Sequence, residues 1–328
     1  MSLIAPVLQA YFTERLAQRQ ASPHTVGSYR DTFCLLLRFA QQRLSTPPSK
    51  LDFSDIDAAF VGAFLDHLEH DRGNSATTRN NRLAAVHSLY SYAALRCPEH
   101  AALIGRVLAI PPKRVSSTLV SFLTPAETDA LLASPDRATF RGRRDHALLL
   151  VAVQTGLRVS ELTSLVCNDA ELGTGANLRC TGKGRKQRRT PLTHPTARIV
   201  SDWLTERHAT PTDPLFPNRA GGPLSSDAVA DLLAKHVATA TDRCPSLKTK
   251  RVSPHTLRHT CAMTLLHAGV DTSTIALWLG HAGTKATQAY LHADLALKEA
   301  ALARTAPPEI NRERYRPPDD LLDFLEHL

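Results

Sequence analysis

Apolar positions in the first hundred residues recur at helical spacing. Val26, Tyr29, Phe33, Leu36, Leu37 and Ala40 share one face. Ser22-Pro23 precedes them, a start signal with Ser at the N-cap and Pro at the first helical position. Phe60, Phe64 and Leu68 mark a second helix, and Leu83, Val86, Tyr90 and Ala93 a third, preceded by the polar stretch Asn74–Arg82. No strand-like alternation interrupts them, so the pattern predicts an all-helical N-terminal domain over residues 1–107. Residues 108–121 form a linker: Pro111-Pro112-Lys113-Arg114 is stiff and basic, and Ser116-Ser117-Thr118 is polar. Thr124-Pro125-Ala126-Glu127 is a capping box that opens a second domain, 122–305.

The second domain is mixed. An apolar helix is predicted over 145–155 and a short one over 159–165. Strands are predicted at Leu165–Cys167, Ala176–Cys180 and Arg188–Leu192, punctuated by Gly173, Gly175, Gly182 and Gly184. Helical patterns resume at 195–207, 225–240, 255–268, 272–280 and 284–303. The class is therefore mainly α with a small antiparallel β-sheet (α+β) in the second domain. Pro307-Pro308 and Pro317-Pro318 break the chain before a tail, 306–328, whose Leu321, Leu322, Phe324, Leu325 and Leu328 suit a short amphipathic helix with an acidic start.

Composition narrows the class. The chain is 43% hydrophobic and 21% charged, enough apolar material for packed cores. The longest apolar run, Ala147–Val153, falls far short of the roughly 20 residues a membrane span needs. The N-terminus lacks the basic and long apolar regions of a secretion signal. A cytoplasmic protein acting at the nucleoid, with no membrane partner, is expected. The net charge is +8. Residues 1–115 hold 13 Lys and Arg against 9 Asp and Glu, residues 116–305 hold 23 against 16, and the tail from 306 holds 3 against 6. Two basic domains favour a polyanionic partner. The six cysteines include no C-x-x-C pair, which points to reduced thiols rather than disulfides or a zinc site.

Four patterns carry candidate chemistry. In Thr155-Gly156-Leu157-Arg158-Val159-Ser160-Glu161-Leu162 an Arg follows a Gly turn directly after the most apolar helix; it either meets an anion there or forms a structural pair with Glu161. In Thr181-Gly182-Lys183-Gly184-Arg185-Lys186 a Lys flanked by glycines sits at a hairpin tip, either close to a phosphate or as a solvated basic turn. His255-Thr256-Leu257-Arg258-His259 places a His and an Arg on one helical face; H-x-x-x-H spacing could bind a metal, but the Glu of H-E-x-x-H is absent and phosphate suits the pair better. Leu279-Gly280-His281 is followed by Tyr290.

Taken in order, these residues resemble the tyrosine recombinases, the phage-integrase or Xer-type site-specific recombinases. The resemblance extends from about residue 20 to 300. It rests on Arg158, Lys183, His255, Arg258, His281 and Tyr290, six residue types in family order and spacing. Cys261 and Ala286 depart from the residues common in relatives, at positions that bear no chemistry. The resemblance implies an N-terminal core-binding (SAM-like) domain and a C-terminal catalytic domain.

It also implies a mechanism. Tyr290 attacks a DNA phosphodiester, giving a 3′-phosphotyrosyl link and a free 5′-hydroxyl. A free phenol has a pKa of about 10, so only about one part in a thousand is ionised at pH 7. Arg158 and Arg258 clamp the phosphate, Lys183 protonates the leaving 5′-oxygen, His255 serves as acid/base on the nucleophile side, and His281 bonds a non-bridging oxygen. Glu161 supports Arg158. No metal, ATP or other cofactor is implied. DNA contacts are expected from Thr78, Arg79, Asn80, Arg82, Lys113, Arg114, Arg185 and Lys186, with a solvated cap as the alternative for the first four. The partner is double-stranded DNA, bound by a homo-tetramer, or a hetero-tetramer with a related recombinase, through tails docked on neighbouring protomers. Three rivals stay open: a type IB topoisomerase-like relaxer, a DNA-binding relative without catalysis, and a metal-dependent nuclease, which lacks its carboxylate cluster here. The resemblance spans chromosome dimer resolution, integration or excision, and transposition.

Overall fold

The computed structural model describes residues 3–115, 120–182 and 187–280, together with Leu325. Backbone contacts divide the chain into Met1–Ser117 and Thr118–Leu328. Lys183, Arg185, Lys186, His281, Tyr290, the 284–303 helix and the tail helix lie outside the described residues, as does Ser116-Ser117-Thr118 of the linker.

The first unit is helical. α1 (Ile4–Ala10) continues through a π-helical stretch, Tyr11–Arg15, into α2 (Leu16–Gln18). α3 (Pro23–Leu44), α4 (Ala58–His70), α5 (Ala76–Ala93) and α6 (Ala101–Leu108) follow. Ser22 caps α3 by accepting from the Thr25 backbone N–H at 3.2 Å. The core gathers Phe33, Leu36 and Ala40 of α3, Phe64, Leu65 and Leu68 of α4, and Leu83, Val86, Leu89 and Tyr90 of α5. The polar stretch before Leu83 is itself helical: Ser75 caps α5, so Thr78–Arg82 occupy its first turns. The α1–α2 segment and α6 were not predicted. Both are short, and most of their order comes from packing on the longer helices.

In the second unit, α7 (Pro125–Leu132) begins with the expected capping box: Thr124 Oγ1 accepts from Glu127 N at 3.3 Å, and Glu127 Oε2 accepts from Thr124 N at 2.8 Å. α8 (Phe140–Thr155) is the central helix, burying Leu148, Leu149, Val151 and Ala152. It is followed by α9 (Val159–Thr163) and an antiparallel sheet in the order β1 (Ala170–Glu171), β2 (Asn177–Thr181), β3 (Gln187–Pro191). In the β2–β3 register Cys180 faces Arg188 and Thr181 faces Gln187. α10 (His194–Arg207), α11 (Ser226–Ala240), α12 (Pro254–His267) and α13 (Thr272–Leu279) complete the described unit.

One predicted strand is not a strand. Leu165–Cys167 makes an isolated bridge, Val166 to Pro214, and Cys167–Asp169 turns into a 3₁₀ helix. Leu165 O accepts from Leu215 N, and Cys167 N donates to Asp213 O. Pro214 between those two partners has no N–H, so the ladder stops there.

Two clusters of side chains place the ends of the helices that matter below. The main core runs from α7 through α8 and the sheet to α11. A smaller one, Cys261, Ala262, Met263, Leu266, Ile275 and Leu279, locks α12 to α13.

Candidate active site

α8 must end abruptly for Arg158 to leave its axis. Gly156 ends it, with φ +62° in the left-handed region. A Cβ at this position would stand 2.6 Å from Leu279 Cδ2 and 3.1 Å from Cys261 Sγ, so the turn admits only Gly. Two residues later Arg158 starts α9 in extended conformation, and its backbone N–H donates to Glu161 Oε2 at 2.8 Å. Arg158 Nη1 donates to Glu161 Oε1 at 2.9 Å. Arg258, a hundred residues on, rises from the buried face of α12 and is 4% exposed.

The two arginines converge on the C-terminus of α13. Arg258 Nη1 donates to Gly156 O and its Nη2 to Leu279 O, each at 2.7 Å. Arg158 Nη2 donates to Gly280 O at 3.1 Å. Arg188 Nε, from β3, donates to Trp278 O at 3.1 Å. Three successive carbonyls at a helix end, where backbone charge is partly negative, thus each hold a guanidinium. Trp278 Nε1 closes the same corner by donating to Thr155 O at 3.1 Å. Gly280 ends α13 with φ +64°, and a Cβ there would lie 2.8 Å from Arg188 Nη1.

Glu161, 3% exposed, is the carboxylate at the centre of this cluster. Besides Arg158 it accepts from Arg188 Nη1 at 3.0 Å and Nη2 at 2.7 Å, a two-pronged pair. Burial alone would raise its pKa; the bonds from Arg188 and from the Arg158 N–H outweigh that and hold the carboxyl below its usual range. Two guanidiniums share this carboxylate and a third, Arg258, is held by the neighbouring Leu279 carbonyl, so the three arginines and one carboxylate carry an excess of two positive charges, which suits an anion with more than one oxygen.

His255 is exposed, one helical turn from Arg258 on α12. Its ring stacks with His259 at 6.4 Å between centroids. Burial, and then the neighbouring His255 and Arg258, push the His259 pKa down. Of the two rings, His255 is exposed and His259 half-buried.

The structure therefore brings Arg158, Glu161 and Arg258 together, with His255 on the adjoining turn. It adds Arg188, which the sequence placed only at the start of a predicted strand, Arg188–Leu192, with no part in the site. The available signal was strand alternation, which puts Arg188 on the same face as the buried Thr190.

In the first unit the expected DNA contacts have intramolecular partners. Thr78 donates its backbone N–H to the Ser75 cap. Arg79 is 7% exposed, with Nε 3.6 Å from Glu69. Arg82 Nη1 donates to Ser28 O at 3.0 Å and Thr32 Oγ1 at 2.9 Å. Asn80 clamps the backbone of Lys113: Nδ2 donates to Lys113 O at 2.8 Å, and Lys113 N donates to Asn80 Oδ1 at 2.9 Å. The Lys113 ammonium pairs with Glu69 at 2.5 Å. Arg114 is exposed.

Arg158, Arg188 and Arg258 thus gather at the end of α13 in the α+β unit. Residues 121–296 match the phage integrase family, and residues 8–96 match the phage integrase N-terminal SAM-like domain. A Sinorhizobium fredii chain carrying an integrase/recombinase name, y4rC, is 56% identical over 99% of this chain and 98% of its own length. Tyrosine recombinase XerC of Pelobacter propionicus is 33% identical over 92% of this chain and 97% of its own. Among solved structures, XerH site-specific recombinase bound to palindromic difH substrate superposes with a TM-score of 0.67 at 23% identity, covering 87% of this chain and 81% of that one; this likeness concerns the fold. The chain belongs to the phage integrase family, the tyrosine recombinases. No helix among the described residues is long and apolar enough to cross a membrane.

Proposed function

We propose that this recombinase breaks and rejoins duplex DNA through a 3′-phosphotyrosyl intermediate on Tyr290, without metal or nucleotide. One observation carries the reading furthest: Arg158 and Arg258, distant in sequence, are bonded to the adjacent carbonyls Gly280 and Leu279, immediately before His281. The phosphate then binds beside these guanidiniums. Attack by the Tyr290 phenolate forms the O–P bond and expels the 5′-oxygen. Charge that grows on the non-bridging oxygens meets Arg158, Arg258 and His281. His255 takes the phenol proton, and Lys183 supplies one to the leaving oxygen. Because the phosphotyrosine preserves the energy of the phosphodiester, the 5′-hydroxyl of a partner strand reverses the step without ATP. Arg114, Arg185 and Lys186 supply backbone charge. Exchange between two sites needs four protomers, and we assign their linkage to the acidic tail.

A substrate with sulfur in place of the bridging 5′-oxygen tests the proton assignment. A thiol ionises near pH 8.5, so thiolate needs no acid in order to leave. With EDTA present and nucleotide absent, Lys183→Ala is expected to cleave normal DNA about 10²–10⁴-fold more slowly than wild type and to recover on the sulfur substrate. No recovery would take the acid role away from Lys183. A chain truncated before Pro317 is expected to retain this single-site cleavage and to lose recombination of two sites; retained recombination would remove the tail from assembly.

A further inference from the structure

Arg188 does something the six family residues do not. Both oxygens of Glu161 serve two arginines: Oε1 accepts from Arg158 Nη1 and Arg188 Nη1, and Oε2 accepts from Arg158 N and Arg188 Nη2. The side chain of Arg188 is 13% exposed, against 28% for Arg158. Its three nitrogens already donate within the unit, two to Glu161 and one to Trp278 O.

The charge balance follows. Glu161 paired with Arg158 alone would make a neutral, inward-turned couple with little positive charge left for a phosphate. A second guanidinium on the same carboxylate restores one net positive charge to the group, and Arg158 is the more exposed partner. Burial would lower the Arg188 pKa, but Glu161 more than compensates, and the guanidinium stays charged.

Arg188 is also placed to link parts of the site. It lies on β3 opposite Cys180 of β2, five residues after Lys183 in the sequence. Its guanidinium crowds Gly280, the residue before His281.

We propose that Arg188 is a positioning residue for strand cleavage. It offsets the charge of Glu161 so that Arg158 remains an effective phosphate ligand, and it holds the end of α13 where His281 begins, without touching DNA itself. This rests on the reading given under Proposed function.

The test is a double-mutant cycle in single-turnover cleavage of a nicked substrate, with non-covalent DNA affinity measured in parallel. Arg188→Gln is expected to slow cleavage by about 10- to 100-fold while changing the DNA Kd by less than about threefold. Arg188→Lys, which keeps the charge but not the fork, is expected to regain part of the rate. In a Glu161→Gln background, where no carboxylate charge needs offsetting, the further loss from Arg188→Gln is expected to shrink to about threefold or less. Thermal melts of each variant, with Arg188→Lys as the folded reference, separate a rate effect from unfolding. Multiplicative losses in the cycle, or a Kd loss as large as the rate loss, would overturn the proposal. Absence of covalent product from the wild type would instead defeat the underlying reading, whereas wild-type cleavage with no effect at Arg188 defeats this proposal alone.

Discussion

Arg258→Ala is expected to slow single-turnover strand cleavage by at least about 10²-fold, the usual cost of removing a preorganised donor from a developing oxyanion. The same change should weaken the fold. Arg258 is nearly fully buried and spans the end of α8 and the end of α13 through the Gly156 and Leu279 carbonyls. Leaving a buried acceptor unmatched costs about 1–3 kcal/mol, so the melting temperature should fall by several degrees. Arg258→Lys separates the two effects. An ammonium keeps the charge but cannot reach both carbonyls in fork geometry, so it should recover little of the rate. Cleavage kinetics beside thermal melts give the answer; wild-type rates for either variant would remove Arg258 from the reaction.

Glu161→Ala has the larger expected effect on stability. It removes the one carboxylate that Arg158 and Arg188 share, and Arg188 is left as a largely buried cation. Breaking a buried pair in this way costs about 3–5 kcal/mol. A pH dependence accompanies it. The Glu161 carboxyl is held below its ordinary value of 4.5, so its contribution is complete above that pH and is lost as pH falls through the depressed folded value. The difference in urea midpoint between wild type and Glu161→Gln should therefore be flat from pH 7 to 5 and shrink below about pH 4.5. A difference that grew on acidification would contradict the depressed carboxyl.

Much of this architecture is legible in the chain. Caps such as Ser22 and Thr124 act through local side-chain bonds, and their helices begin where those bonds place them. Gly156 and Gly280 punctuate because only Gly fits their left-handed turns. What was not legible depends on contacts between distant segments. The bridge at Val166 needs Asp213 and Leu215, and its failure to extend needs Pro214; none of these is near it in sequence. The site shows the same divide. The pairing of Arg158 with Glu161 follows from their spacing of three, whereas the pairing of Glu161 with Arg188 depends on the sheet folding back across the start of α9. A basic stretch likewise does not announce which of its members turns inward. Arg79 and Arg82 lie on a helix start that suggests DNA contact, and their partners within the unit, Glu69 for Arg79 and Ser28 and Thr32 for Arg82, come from other segments of the chain.

Covalent chemistry at Tyr290 is tested by capture of the protein–DNA link. Wild type and Tyr290→Phe would be incubated, in EDTA, with nicked duplexes taken from the DNA flanking the gene, and resolved under denaturing conditions. A covalent band is expected with wild type and none with Tyr290→Phe, with both proteins shifting the same duplex in a native gel. A covalent band that survives Tyr290→Phe, or wild type that binds the site specifically and never forms one, would contradict it.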